Sequence, residues 1–300
     1  TYKPHVGGVA NSVEQLAARV RAVDNDVVIV APEFPGTPAH ETDVIRVPAL
    51  QNFNGSDFSV ALPVPADLSD KLDARKPDII HSHHPYLLGD AALRSAVKRN
   101  LPLVLTYHTM YEKYTHYVPA DSERIKRFVV ELTKGYCNLC DHIIAPSESV
   151  QKILVDRGGT TPISRMPTGV DVERFRKAVD VKAVRRRWKI PEQAFLVGHV
   201  GRLAAEKNLA FLTRAVAAFL QGCRDAYFIV VGSGPPNQEQ EMRGILYEAG
   251  VLDRVRFAGV QTGDALAALY HVMDSFAFAS KSETQGLVLA AAMAAGTPVV

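Results

Sequence analysis

Short apolar, β-branched runs recur along the chain, each followed by a stretch whose apolar positions fall three and four apart. The runs lie at 27–31, 78–82, 103–107, 142–145, 195–200, 227–231, 255–258 and 275–279. They are apolar throughout rather than alternating, which predicts strands buried on both faces, as in a parallel sheet. The intervening stretches, 9–23, 86–98, 122–140, 147–156, 209–221, 238–249, 264–271 and 286–295, predict amphipathic helices. Regular alternation of this kind implies right-handed βαβ units and a doubly wound α/β architecture.

About nine or ten strands are too many for one comfortable open sheet. A natural seam is the turn of Pro167, Thr168, Gly169, Val170 and Asp171, before a new strand-helix series begins at Phe195. The expectation is a domain over 1–170 and a second over 171–300, both Rossmann-like. Two such domains facing each other form a cleft where the carboxyl ends of their strands converge, and such crevices bind ligands. Thr1 opens inside a loop and Val300 stops as a strand begins. The first domain therefore reads as lacking its first strand, and the second as lacking its C-terminal part.

Composition narrows the function. Over 300 residues, 47% are hydrophobic and 22% charged, which excludes disorder, collagen and coiled coil. Lys plus Arg is 34 against 32 for Asp plus Glu, a net charge of +2, so there is no general field for nucleic acid. Three cysteines make no disulfide framework and point to a reducing, cytoplasmic compartment. No apolar run approaches the roughly 18–20 residues that span a bilayer. Nothing in the sequence fixes the oligomeric state.

Candidate chemistry sits where predicted strands give way to helices. After the strand at 195–200 come Gly201, Arg202, Glu206, Lys207 and Asn208. Arg202 and Lys207 read either as solvated charges or as a cation pair above a helix N-terminus, a seat for a diphosphate. Gly232, Ser233 and Gly234 form a glycine-rich turn after the next strand, compatible with ordinary loop chemistry or with close approach of backbone to a ligand. It matches neither the G-x-G-x-x-G fingerprint nor a P-loop. Glu283, Gly286 and Leu287 follow the strand at 275–279, where the segment is either a helix cap built on Ser282 or Thr284, or a carboxylate beside two backbone donors.

Eight of the ten histidines lie in the first domain. Gly7 and Gly8 lead into its first helix as a second possible anion seat. His81, His83 and His84 end one strand, and His108 ends the next. No H-E-x-x-H spacing or matched carboxylate accompanies them, and Cys137 and Cys140 form a lone C-x-x-C in a predicted helix, so no metal is expected. Histidine at a strand's carboxyl end reads better as a hydrogen-bonding group aimed at a polar ligand, with His108 the strongest candidate. Two basic stretches, 182–189 and the one holding Arg124, Lys126, Arg127 and Lys134, read as solvated helix faces or as contacts with an anionic membrane surface.

Taken together and in this order, the motifs resemble family 4 of the retaining glycosyltransferases with the GT-B fold. They are Gly7-Gly8, His108, the turn at 167–171, Gly201 to Asn208, Gly232 to Pro235, and the run from Ser282 to Val300. The stretch from Thr106 to Tyr114 with His116 to Pro119 is similar to the branch that glucosylates diacylglycerol and related membrane lipids. The resemblance implies a nucleotide-sugar donor, with UDP-glucose as the type, and a membrane-lipid acceptor. The protein would act peripherally at the inner face of the membrane.

By position, the resemblance implies that Arg202 and Lys207 hold the donor diphosphate and that Gly8 approaches it from the first domain. Glu283 would bind sugar hydroxyls, Gly286 and Leu287 would supply backbone donors, and His108 would contact the donor sugar. Two fixed cations would act where charge develops on the leaving group, with no metal. One position departs from the family: its second glutamate, on the following helix and directed at the ribose, is here Ala291. Two alternatives follow, a GT-B sugar-nucleotide epimerase and a non-catalytic nucleotide-sugar binder impaired at Ala291.

Overall fold

The computed structural model describes residues 2–38, 40–51, 67–115 and 122–300, with 60–61 as backbone alone. It divides into two compact units, Thr1–Gly169 and Val170–Val300. The segment from His116 to Pro119, part of the lipid-branch resemblance, lies outside the described residues.

The first unit runs α1 (Gly8–Arg21), β1 (Ile29–Pro32), β2 (Val44–Val47), β3 (Ala49–Leu50), β4 (Val60–Ala61), α2 (Leu68–Arg75), β5 (Ile80–Ser82), α3 (Leu88–Arg99), β6 (Leu103–Thr106), α4 (Glu123–Asn138), β7 (His142–Ala145), α5 (Glu148–Asp156) and β8 (Ile163–Arg165). Strands β5, β6, β7 and β8 form a parallel sheet in chain order, while β1 pairs with β2 in parallel and β3 with β4 antiparallel. Leu103, Leu105, Ile143 and Ala145 are buried at its centre, and Val150 and Leu154 of α5 pack with them. Ser122 and Ser147 cap α4 and α5 by accepting from Ile125 N and Val150 N, which satisfies donors that the first helical turn leaves open.

The second unit continues with α6 (Val172–Arg176), α7 (Val181–Arg187), β9 (Phe195–Val200), α8 (Leu209–Gly222), β10 (Ala226–Val231), α9 (Pro236–Glu248), β11 (Val255–Gly259), α10 (Gly263–Val272), β12 (Ser275–Phe276) and α11 (Leu287–Ala294). Its sheet is parallel in the order β11-β10-β9-β12. The chain builds outward from β9 through β10 to β11, then returns to the other side of β9. That reversal makes the carboxyl ends of β9 and β12 neighbours, the place where open α/β sheets receive ligands.

Several elements differ from the sequence expectation for identifiable reasons. β2 carries the charged Arg46, and β8 is a three-residue edge with two exposed positions, so neither presents an apolar run. The run at 275–279 keeps only two ladder residues, and beyond them Phe278 N donates to Val300 O at 2.9 Å.

The basic stretch at 182–189 is not one solvated face. Arg185 turns inward, 6% exposed, and its guanidinium donates to the carbonyls of Pro191, Glu192, Ala194 and Val272 and to the Asp274 carboxylate at 2.9 Å. The same carboxylate accepts from Leu196 N at 2.7 Å, so Arg185 ties α7 to the starts of β9 and β12.

Asp274 keeps 41% of its side-chain exposure, so Arg185→Ala leaves no buried charge behind; losing a buried charged donor to four carbonyls and a carboxylate is expected to cost about 1.5–3 kcal/mol. Trp188 is the sole tryptophan, at the end of α7 and packed against the core of this unit. Urea unfolding followed by Trp188 fluorescence reads the loss directly. A midpoint equal to that of the parent chain would refute the clamp.

Candidate functional site

In the second unit the loops after β9, β10 and β12 come together. Past β9 the backbone passes Gly201 and Arg202, makes a 3-10 turn at Ala205–Lys207, and enters α8 through Asn208 in the left-handed region. Lys281 N and Ser280 Oγ both donate to Glu206 O, which fastens the loop after β12 to the loop after β9. From the β10 side, Leu203 N donates to Ser233 O at 2.8 Å.

The glycines of the β10 turn are explained by packing. A β-carbon on Gly232 would lie 1.9 Å from Gly201 O, and one on Gly234 would lie 1.9 Å from Leu203 O. Both neighbours are backbone, which cannot step aside as a flexible side chain does. The turn therefore presses directly on the two residues that flank Arg202.

The cations and carboxylates of this site are paired with one another. Arg202 Nη2 donates to Glu206 Oε1 at 2.6 Å, and Lys207 Nζ donates to Glu283 Oε1 at 2.5 Å. Glu206 is almost wholly buried, whereas Lys207 and Glu283 keep 18% and 28% of their side-chain exposure. Lys207 and Glu283 are 76 residues apart in sequence and meet because β12 lies beside β9. Gly286, at φ 72°, turns the chain into α11, whose first N–H groups begin at Leu287 and have no carbonyl within the helix to serve. Ala291 is half-buried on α11 and packs against the apolar core of the unit.

Beneath this site lies His199, 1% exposed on β9. Its Nδ1 meets Ala277 O at 3.1 Å, while Nε2 has no protein partner. Burial pushes the ring down to about 4, so it is neutral. From sequence, His199 carries no signal and Glu206 is one residue of the loop with no role of its own. Glu206 stood four residues after Arg202, the spacing of a helical ion pair, and was the more legible of the two.

In the first unit the histidines gather at the carboxyl ends of β5 and β6. His83 Nδ1 and His108 Nε2 share a hydrogen bond at 2.8 Å, and His81 Nε2 bonds Thr106 Oγ1 at 2.7 Å. The rings of His81 and His83 stack at 4.3 Å, and those of His83 and His108 at 5.1 Å. Stacked rings do not aim their nitrogens at one point, and among the described residues no group of three or more His, Cys, Asp or Glu is placed to hold a metal. Burial pushes His81 and His108 down to about 4, with His81 adding to the shift at His108, and drives His83 well below its usual value. Three neutral imidazoles stand in a row.

Gly7 caps α1 in extended backbone, with His5 Nε2 3.1 Å from where its β-carbon would be, and Gly8 begins the helix in open space. Cys137 and Cys140 are buried free thiols pushed up to about 12 by burial, and so are unreactive as nucleophiles.

Known proteins share this architecture. The crystal structure of Anabaena HepE in complex with UDP and glucose superposes with a TM-score of 0.75 at 20% identity, covering 100% of this chain and 78% of that one. WaaG, a glycosyltransferase involved in lipopolysaccharide biosynthesis, gives 0.71 at 17% identity over 99% and 78%. The fold is GT-B. Among sequence relatives, the alpha-monoglucosyldiacylglycerol synthase of Streptococcus pneumoniae is 29% identical over 100% of this chain and 69% of its own length. The GDP-mannose-dependent alpha-mannosyltransferase of Corynebacterium glutamicum is 28% identical over 100% and 70%.

The group 1 glycosyl transferase pattern matches residues 194–300, which hold the whole site at the ends of β9 and β12. The pattern described as Glycosyltransferase Family 4 covers residues 6–174, including the histidine row. With more than half its length inside that second pattern, the chain belongs to Glycosyltransferase Family 4.

Proposed function

We propose that this chain is a retaining hexosyltransferase. It would take its sugar from a nucleoside-diphosphate donor, UDP-glucose being the type, and give it to a lipid of the diacylglycerol kind. The observation that carries the reading is the meeting of Lys207 and Glu283 at the strand-order reversal. A cation suited to a diphosphate and a carboxylate suited to sugar hydroxyls stand 2.5 Å apart, with Arg202 on the same loop. In the transfer, the acceptor oxygen bonds the anomeric carbon as the bond from that carbon to the diphosphate oxygen breaks. The acceptor proton leaves with the diphosphate. Negative charge grows on the departing phosphate, where Arg202 and Lys207 stabilise it without a metal. Gly286 and Leu287 offer backbone donors to the same anion.

The diphosphate seat is testable by calorimetry with UDP. Arg202→Ala and Lys207→Ala are each expected to cost about 1.5–3 kcal/mol, the range for charge-assisted hydrogen bonds. Unchanged UDP affinity in both variants would remove the seat.

Ala291 favours a second reading, in which the chain binds a nucleotide sugar but turns it over poorly. Alanine cannot accept from ribose hydroxyls as a carboxylate can. Ala291→Glu is then expected to tighten UDP-glucose about ten- to hundredfold while leaving inorganic diphosphate alone. Half-burial of this position against the core makes a melting curve of the variant a necessary companion. A well-folded Ala291→Glu chain with parental UDP-glucose affinity would mean that ribose is held elsewhere.

A peripheral membrane location is part of the proposal, supported by the outer face of α4. Phe128 and Leu132 are 65% and 47% exposed there, and Arg124 and Arg127 share the exposed stripe with Glu123 and Glu131. Exposed apolar groups with cations beside them suit the boundary of an anionic bilayer, and the two glutamates on the same face weaken that attraction. Among the described residues no helix is long and apolar enough to cross one. Cosedimentation with phosphatidylglycerol vesicles is expected to fall in high salt and to fall again in Arg127→Glu and Phe128→Ser. Equal recovery in the supernatant with and without vesicles would favour a soluble acceptor.

A further inference from the structure

A diphosphate that settles on Lys207 finds the cation already engaged. Lys207 Nζ donates to Glu283 Oε1 at 2.5 Å, and the two side chains keep only 18% and 28% of their exposure. Partial burial removes much of the water that weakens an ion pair at the surface. Both residues, and every group that holds them, lie within the second unit.

The backbone keeps the carboxylate beside the cation. Glu206, the residue before Lys207, offers its carbonyl to Lys281 N at 3.0 Å and to Ser280 Oγ at 3.4 Å. Glu283 stands two residues beyond that tie, and three residues later Gly286 turns the chain into α11. The side chain of Glu283 can swing, but the segment that carries it stays fastened to the neighbour of Lys207. An anion arriving at Lys207 therefore meets a competitor at high local concentration.

A carboxylate that loses its cation in a partly closed site needs another donor. The oxygens of a diphosphate are acceptors, and their charge repels a carboxylate. The hydroxyls of a sugar are donors and can take the place of the ammonium group. The two kinds of ligand thus have different effects on the pair, one leaving Glu283 unpaired and the other satisfying it.

We infer that Glu283 is a specificity-determining residue that favours the sugar-bearing donor over the product nucleoside diphosphate, by competing with the diphosphate for Lys207. With a donor in place, its diphosphate occupies Lys207 while its sugar occupies Glu283, so the opened ion pair is compensated at both ends. With UDP alone the carboxylate is left without a partner, and the pair re-forms against the ligand. Once the sugar has passed to the acceptor, the remaining diphosphate faces a competitor that the donor did not. The identity of the ligands rests on the proposed transferase reading, whereas the competition rests on the ion pair itself.

Calorimetry with UDP and with UDP-glucose on the full chain tests this in the parent, Glu283→Gln, Lys207→Met and the double variant. Glutamine keeps the size of glutamate and its hydrogen-bonding capacity but loses the charge that holds Lys207. UDP is expected to bind Glu283→Gln about 3- to 10-fold more tightly than the parent, between the worth of an exposed ion pair and that of a charge-assisted hydrogen bond. UDP-glucose is expected to gain nothing, so the preference for donor over UDP shrinks by at least that factor. With Lys207→Met already present, Glu283→Gln is expected to leave UDP affinity where it was, because no cation remains to compete for.

Unchanged or weaker UDP binding in Glu283→Gln would overturn the inference while leaving the diphosphate seat intact, provided Lys207→Met weakens UDP. The same gain in the Lys207→Met background would also overturn it, since the effect would then be a general relief of negative charge. Equal gains for UDP and UDP-glucose would show competition without discrimination and refute the specificity role. Equal UDP affinity in the parent and in Lys207→Met would remove the seat on Lys207, and the inference with it.

Discussion

The placement of β12 beside β9 is the constraint on which the second unit depends. A parallel sheet grown in one direction from β9 would have left the loop after β12 at the far edge, three strands from Arg202. Reversal at β9 instead makes the loops after the first and last strands neighbours. The ladder between β12 and β9 is only two residues long. Its hold is completed by the bonds of Ala277 N to Gly198 O, of Asp274 N to Leu196 O, and of Lys281 N to Glu206 O. Arg185 and Asp274 secure the other end of the same strand pair. A short strand gains the precision of a long one from groups outside the ladder.

The charges at the site follow from that geometry. Cations at a helix entrance would repel one another and favour open, mobile side chains. Here each has a carboxylate partner, one from its own loop and one from across the sheet. The pair of Lys207 and Glu283 is partly buried, with 18% and 28% side-chain exposure. Its effect is on order, because two long side chains stand in one arrangement rather than many.

Most of the strands were legible because a parallel strand buried on both faces is written as an unbroken apolar run. The runs at 142–145 and 195–200 carry their boundaries to the residue. Edge strands are covered on fewer sides and lose that signature, which is why β8 and β2 were not visible. At the site, the loop bearing Arg202 and Lys207 could be recognised from its own residues. The pairing of Lys207 with Glu283 could not, since it depends on where β12 joins the sheet. Arg185 was misjudged for a related reason: a run of basic residues does not say which one turns inward. The alternation of β5 did put His83 on the face of His81. What it could not provide was the neighbouring strand's register, which brings His108 within reach.

The bare backbone contacts between the β10 turn and the β9 turn carry a consequence for how such a site can change over evolutionary time. Most binding loops tolerate drift because side chains at their base yield to a new neighbour. Here carbonyl oxygens stand where β-carbons would be at both Gly232 and Gly234. A substitution at either cannot be absorbed locally; it has to displace the peptide units on either side of Arg202. The two turns are in that sense a single mechanical unit, and the room for variation lies further out, around Glu283 and α11.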